Sequence, residues 1–168
     1  EQGMLHLDGE PCDLGVLAAE VTEMYSFIAE EKNQTITLDA PNPVPMIGDP
    51  VRLRQILGNL LDNAVKYSPE GSPIEVRCRL EKNTGSAEVL DRGPGVPESE
   101  VNKVFERLYR GDRSRGSRGL GLGLSMVKAL VEAHSGTVEV LSREGGGSSF
   151  RIRCPVSTQG LPRNISQE

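Results

Sequence analysis

Cysteine is scarce in this sequence: Cys12, Cys78 and Cys154 stand far apart, with no CxxC pair among them. An odd number at such spacing fits neither a disulfide framework nor a metal site, so a reducing compartment is expected. Long apolar runs are missing too. No stretch approaches the ~20 apolar residues of a membrane span, and the start of the chain lacks the basic and apolar regions of a signal peptide. A chain that is not itself membrane-bound is therefore expected. Basic charge is not in excess either, since 19 Lys and Arg face 24 Asp and Glu, a formal net charge of -5. Affinity for a phosphate backbone comes from clustered cations, so this balance excludes bulk nucleic-acid binding. Neither GxxxxGK[ST] nor GxGxxG occurs, which leaves no support for a P-loop or a dinucleotide fold.

What remains is one domain's length of chain, 168 residues, with alternating helical and extended patterns. Leu14, Leu17, Ala18, Val21, Met24, Tyr25 and Ile28 recur at three- and four-residue steps, predicting an amphipathic helix over 13–31 capped by Asp13. Ile36 and Leu38 alternate as in a short strand, and the proline-rich segment 40–45 reads as a connection. Asp49-Pro50 is a helix start, because Asp caps orphan amides and Pro loses nothing at the first helical position; Ser68-Pro69 stops that helix after Tyr67. Residues 74–81 and 87–90 read as paired strands around a turn at 82–85, followed by a Gly- and Pro-rich loop over 91–97. A short helix over 98–104, a mobile polar flap over 105–118 and a helix over 122–133 with Gly136 near its C-cap come next. Residues 138–141 and 149–153 form a last hairpin around Gly145, Gly146 and Gly147. The order implies an α/β two-layer sandwich, one mixed sheet covered on one face by about three helices.

Three segments carry candidate chemistry. On the helix after Asp49-Pro50, Asn59, Asn63 and Lys66 form a polar stripe about a quarter turn from the apolar one, at the edge of the core. An amide oxygen suits one position of an octahedral Mg²⁺ whose other ligands are phosphates and water, and Lys66 offers those phosphates a point charge. A solvated helix face is the plainer reading of that stripe in isolation. Asp91 stands where a strand enters the Asp91-x-Gly93-x-Gly95 turn. Its carboxylate can accept from the exocyclic amine of adenine and has no match in guanine's carbonyl; a local turn cap is the plainer reading. Gly119-Leu120-Gly121-Leu122-Gly123-Leu124 places alternating glycines before a helix, where free amides and the positive helix end suit a phosphate, or else simply a flexible linker. Arg107, Arg110, Arg113 and Arg115 lie in the flap, where a planar donor fork could meet a γ-phosphate. His6 and His134 receive no catalytic role.

Taken in order, these segments resemble the catalytic domain of sensor histidine kinases, the GHKL or Bergerat ATP-binding fold, over about 13–155. Residues 55–69 are similar to the family's N box, 91–97 to its G1 box, 104–110 to its F box, 119–124 to its G2 box and 145–150 to its last glycine box. The resemblance implies ATP and Mg²⁺ as ligands, with Asn63 the principal metal ligand, Asn59 and Lys66 near it, and Tyr67 lining the pocket. It further implies Asp91 on adenine, Gly93, Gly95, Gly119, Gly121 and Gly123 as points of backbone approach, Leu120, Leu122, Leu124 and Ser148 beside the nucleotide, and Arg110 reaching the γ-phosphate. Two positions depart from the pattern: Leu108 stands where an aromatic is usual, and Leu120 where Thr or Ser is frequent.

The implied reaction is transfer of the γ-phosphoryl of Mg-ATP to a histidine on a dimerisation domain, with a response regulator downstream. Neither histidine of this sequence has the context of that acceptor. Residues 1–12 would then be linker from the dimerisation hairpin and 156–168 a disordered tail, the isolated chain a monomer and the whole protein a homodimer. Its setting would be cytoplasmic, as part of a membrane-anchored sensor. Rival readings are a GHKL ATPase of the gyrase, MutL or Hsp90 kind, an anti-sigma-like protein-serine kinase, and an interaction module that has lost nucleotide binding. The ATPase needs a glutamate base where this chain has Asn59, and an amide cannot take a proton as general base.

Overall fold

Asp13 ends a short strand, β1 (Glu10–Asp13), and caps the helix that follows, α1 (Leu14–Glu30). Its carboxylate accepts from the amides of Gly15 at 2.8 Å and Val16 at 3.3 Å. After β2 (Thr35–Asp39) and β3 (Pro45–Gly48), Asp49 caps α2 (Pro50–Tyr67) by accepting from the Arg52 amide at 3.2 Å. Pro50 opens α2 where no intrahelical partner exists for an N–H. The hairpin of β4 (Pro73–Glu81) and β5 (Thr84–Leu90), then α3 (Gly123–Ala133), then the hairpin of β6 (Thr137–Ser142) and β7 (Ser148–Pro155) complete the chain. This computed structural model describes residues 5–106 and 123–157.

The main sheet has the order β2-β4-β5-β7-β6, parallel between β2 and β4 and antiparallel elsewhere. Strand alternation makes it one-sided. Ile74, Val76 and Cys78 of β4, Ala87 and Val89 of β5, and Phe150, Ile152 and Cys154 of β7 are buried beneath the helices. The other face carries charge. Asp39, Arg77, Glu88, Arg151 and Glu139 stand opposite one another in a single row across all five strands, alternating in sign. Arg151 reaches Glu88 at 3.3 Å and Glu139 at 3.5 Å, so this face is built for water. α2 lies between α1 and α3, with Leu53, Ile56, Leu57, Leu60, Leu61, Ala64 and Val65 buried.

Both ends of α2 are tied down. At its start, the Asp49 amide donates to Nε2 of buried His134 at 3.1 Å, while Nδ1 of that ring lies 2.8 Å from the Leu130 carbonyl, joining the end of α3 to the cap of α2. Asp49 Oδ2 also accepts from the Asp8 amide at 3.0 Å. At its end, Lys32 Nζ donates to the carbonyls of Val65 (2.6 Å), Lys66 (3.3 Å) and Ser68 (3.2 Å), and Gln34 Nε2 to Val65 and Ser68 at 3.1 and 3.0 Å. A cation on the last carbonyls of a helix satisfies orphan acceptors and complements the negative end of the dipole.

The structure differs from the expectations in several places. The boundary expected at residue 12 falls inside the fold: Leu7 is buried, and β1 pairs antiparallel with β3 in a separate two-stranded sheet. The expected tail begins with Val156, which is itself pinned, its amide donating to Asn83 and its carbonyl accepting from Ile47; 158–168 lie outside the described residues. Met24 and Ile28, placed in the buried stripe of α1 by spacing, face solvent. In place of a helix over 98–104 there is one 3₁₀ turn, Glu98–Glu100, followed by further turns. Phe105, assigned to the flap, is buried, its ring edge-on to Phe150 at 6.3 Å between centroids, and residues 107–118 lie outside the described residues. Ser135, not Gly136, takes the left-handed conformation after α3, with φ 59°.

Burial pushes the thiols of Cys78 and Cys154 up to about 12, and raises that of the half-buried Cys12 as well. Because the thiolate is the nucleophile, Cys12 alone should react with a thiol reagent in the native protein near neutral pH, and all three in denaturant. Rapid native reaction of Cys154 would show that the core is not closed over the sheet. Lys32→Met should lower stability by about 1–2 kcal/mol and His134→Ala by about 2–4 kcal/mol in denaturant titration, since the first removes the cation from the last carbonyls of α2 and the second leaves the Asp49 amide without its partner and a cavity where the buried ring lay.

Candidate functional site

The site forms where the ends of β5, β7 and α2 meet. Asp91 follows β5 directly and is 1% exposed. Its Oδ1 accepts from the amides of Gly93 at 2.8 Å and Ser148 at 3.3 Å, and its own amide donates to the Ser148 carbonyl at 2.9 Å. The carboxylate is thus oriented by main chain from the loop after β5 and from the first residue of β7. Gly93 lies against the last turn of α2, where a Cβ would stand 2.7 Å from the Tyr67 carbonyl oxygen, so only glycine lets the turn close on that helix end. Gly147 has φ +105°, and a Cβ there would overlap the carbonyl oxygen of Asp91. Gly95 packs next to the same hairpin.

From α2, the Asn59 amide donates to the Gly123 carbonyl at 3.3 Å, joining the polar stripe to the first residue of α3. Asn63 is half-buried, and its Nδ2 is enclosed without a hydrogen-bond partner among the described residues; the same holds for the hydroxyl of fully buried Ser148. A buried polar group left unpaired costs about 1–3 kcal/mol, which a bound polar molecule would remove. These two groups therefore fit a polar ligand in this corner, whereas the close backbone approach at Gly93 is taken up by Tyr67 of the chain itself. Lys66 is exposed and pairs with Asp62 at 2.9 Å, so its ammonium is engaged along the helix. Tyr67 is half-buried, and Leu124 packs against the core. Arg110, Gly119, Leu120, Gly121 and Leu122 lie outside the described residues. The described residues hold no cluster of three or more His, Cys, Asp or Glu side chains able to bind a metal, and no helix among them is long and apolar enough to cross a membrane.

Sequence reasoning missed Lys32, Gln34, Arg92 and Arg143, which hold the site's frame without belonging to any motif. A signal existed for the first two. The last carbonyls of any helix need donors, and the segment that returns from the preceding helix is a natural source.

Comparison with known proteins agrees with this geometry. The family described as histidine kinase-, DNA gyrase B- and HSP90-like ATPase matches residues 48–158. Among curated relatives, the adaptive-response sensory kinase SasA of Synechocystis is 40% identical over 88% of this chain and 39% of its own length. The sensor-like histidine kinase SenX3 of Mycobacterium tuberculosis is 36% identical over 85% of this chain and 35% of its own length. The chain thus spans about two fifths of the curated relatives it matches. Among solved structures, the mycobacterial sensor histidine kinase MprB superposes with a TM-score of 0.77 at 30% identity, covering 88% of this chain and 97% of that one. Full-length ShkA, solved with AMPPNP, gives 0.82 at 32% identity over 96% of this chain and 34% of its own. The sandwich, the polar corner around Asp91 and these matches agree: the chain belongs to the histidine kinase-, DNA gyrase B- and HSP90-like ATPase family, as a sensor histidine kinase catalytic domain.

Proposed function

We propose that this chain binds Mg-ATP and presents its γ-phosphoryl group to a histidine carried on a dimerisation domain outside the chain, for later transfer to a response regulator. The observation that carries the reading is the buried Asp91 carboxylate, oriented by the Gly93 and Ser148 amides at the end of a rigid strand. Such a carboxylate accepts from adenine's amino group and discriminates against guanine. Asn63 is the proposed Mg²⁺ ligand, since an amide oxygen is a hard neutral donor suited to a cation that keeps phosphate and water ligands. The metal would neutralise phosphate charge; Asn59, Lys66 and Arg110 would orient the phosphates, with Tyr67 and Ser148 along the base and ribose. Backbone amides of Gly119 to Leu124 would meet the phosphates at the start of α3.

The likeness to ShkA, whose structure holds AMPPNP, supports a nucleotide in this family's pocket. Asn59 speaks against the ATPase alternative: its side chain donates to Gly123 and is an amide, which cannot deprotonate a water. The isolated chain is proposed to be monomeric, and the whole protein a homodimeric, membrane-anchored sensor whose catalytic part lies in the cytoplasm.

Titration with ATP and GTP, with and without Mg²⁺, tests the binding half. ATP should be preferred, and Asp91→Ala should weaken it about 30-fold while leaving the weak GTP binding alone. Asn63→Ala should remove the gain in affinity that Mg²⁺ brings. Binding indifferent to both substitutions would overturn the assignment. Incubated alone with γ-labelled ATP, the chain should form no acid-labile phosphate and release little free phosphate. Labelled phosphohistidine on this chain, or ATPase-like turnover, would overturn the transfer half.

A further inference from the structure

Behind Asp91, two arginines bridge the same pair of segments in opposite directions. From the loop, Arg92 Nη1 donates to the carbonyls of Glu144 at 2.9 Å and Gly146 at 3.0 Å, in the turn between β6 and β7. From that turn, Arg143 Nη1 donates back to the main-chain carbonyl of Asp91 at 2.9 Å. Gly147, with φ +105°, lets the turn lie directly on the Asp91 peptide between them. Arg143 is half-buried; burial, then the neighbouring charges of Arg92 and Arg77, lower its pKa, yet a guanidinium stays protonated in proteins. Two like charges are thus held close together where a simple turn would need neither.

We propose that Arg92 and Arg143 form a reciprocal clasp that fixes the peptide of Asp91 and so aims its carboxylate at the amino group of the base, making them positioning residues for nucleobase selection. The proposal rests on the reading of Asp91 given above. The direction of a carboxylate follows from the torsions of its own residue, and a hydrogen bond tolerates only a few tenths of an ångström and a limited angle. The Gly93 and Ser148 amides hold one oxygen of Asp91; the clasp holds the peptide from which the side chain springs. Among the described residues, neither arginine is hydrogen-bonded to Asn59, Asn63 or the first residue of α3, Gly123. Losing the clasp should therefore disturb recognition of the base and spare the phosphate end.

The test compares affinity for ATP with that for inosine triphosphate, which carries a carbonyl in place of adenine's amino group, in wild type, Arg92→Ala, Arg143→Ala, Arg143→Lys and Asp91→Ala, with thermal unfolding in parallel. The clasp predicts that each alanine substitution weakens ATP about tenfold and leaves inosine triphosphate unchanged, with Arg143→Lys recovering part of the loss. Equal loss for both nucleotides, or a lowered melting temperature with an unchanged ratio, would mean that the arginines only brace the turn. Should Arg143→Ala fail to fold, Arg92→Ala, on an exposed side chain, carries the same test. If Asp91→Ala itself leaves the ratio unchanged, the adenine reading fails and the clasp with it. If Asp91→Ala collapses the ratio while the arginine variants do not, the clasp alone is wrong.

Discussion

The structure depends on α2 being held at both ends while one of its faces stays polar. A helix in the middle of a layer would ordinarily be apolar on every side that meets protein. Here Leu53, Ile56, Leu57, Leu60, Leu61, Ala64 and Val65 are buried, yet Asn59 and Asn63 remain only half-buried on the same helix. Packing alone would leave such a helix free to roll toward a better-buried polar face. His134 at its start, and Lys32 and Gln34 at its end, remove that freedom by bonding to backbone groups that the helix cannot satisfy itself, while the Asp8 amide holds the Asp49 carboxylate that caps it. The Asn63 amide nitrogen can then stay unpaired among the described residues at the site's edge, because the cost is met by bonds far from it.

The sheet supplies the other wall under a different constraint. Its helix-facing side is closely packed aliphatic and aromatic surface, while the opposite side is a row of alternating charges that spans every strand. A one-residue slip of any strand would exchange these faces and bury Arg77, Glu88 or Arg151 among leucines. Register is therefore strongly specified, and with it the position of Asp91, one residue beyond the end of β5. The carboxylate inherits its placement from the whole sheet. The loop that follows only has to turn away, and the close contact of Gly93 with Tyr67 sets how sharply.

Much of this was legible in the sequence because it follows from local chemistry. Asp49-Pro50 and Ser68-Pro69 bracket α2 to the residue, since capping, the fixed φ of proline and the restriction on the residue before it act within a few positions. The alternation of β4, β5 and β7 likewise announced which side would be covered. What stayed hidden depended on distant partners. The β1–β3 pair joins segments more than thirty positions apart, and neither has the length or alternation to stand out by itself. Met24 and Ile28 match helical spacing, but the buried stripe of α1 runs through Leu14, Leu17, Ala18, Val21 and Ala29, and where the layer beneath ends is a tertiary fact. Arg92 and Arg143 were invisible for a related reason: arginine in a polar turn is ordinary, and its acceptors were main-chain carbonyls that leave no mark in a sequence.

The described part of the site also explains how one carboxylate can suffice to choose a base. A polar side chain on a loose loop loses selectivity, because it can follow whichever ligand atom is present. Asp91 cannot follow: one oxygen is bonded to two amides, its own amide is bonded to Ser148, and its carbonyl is bonded to Arg143. A base without an amino group offers that fixed acceptor no donor, and the carboxylate cannot shift to find one. Selectivity here would come from the favourable bond that this rigidity holds ready for an amino group, a bond that a base without one cannot replace.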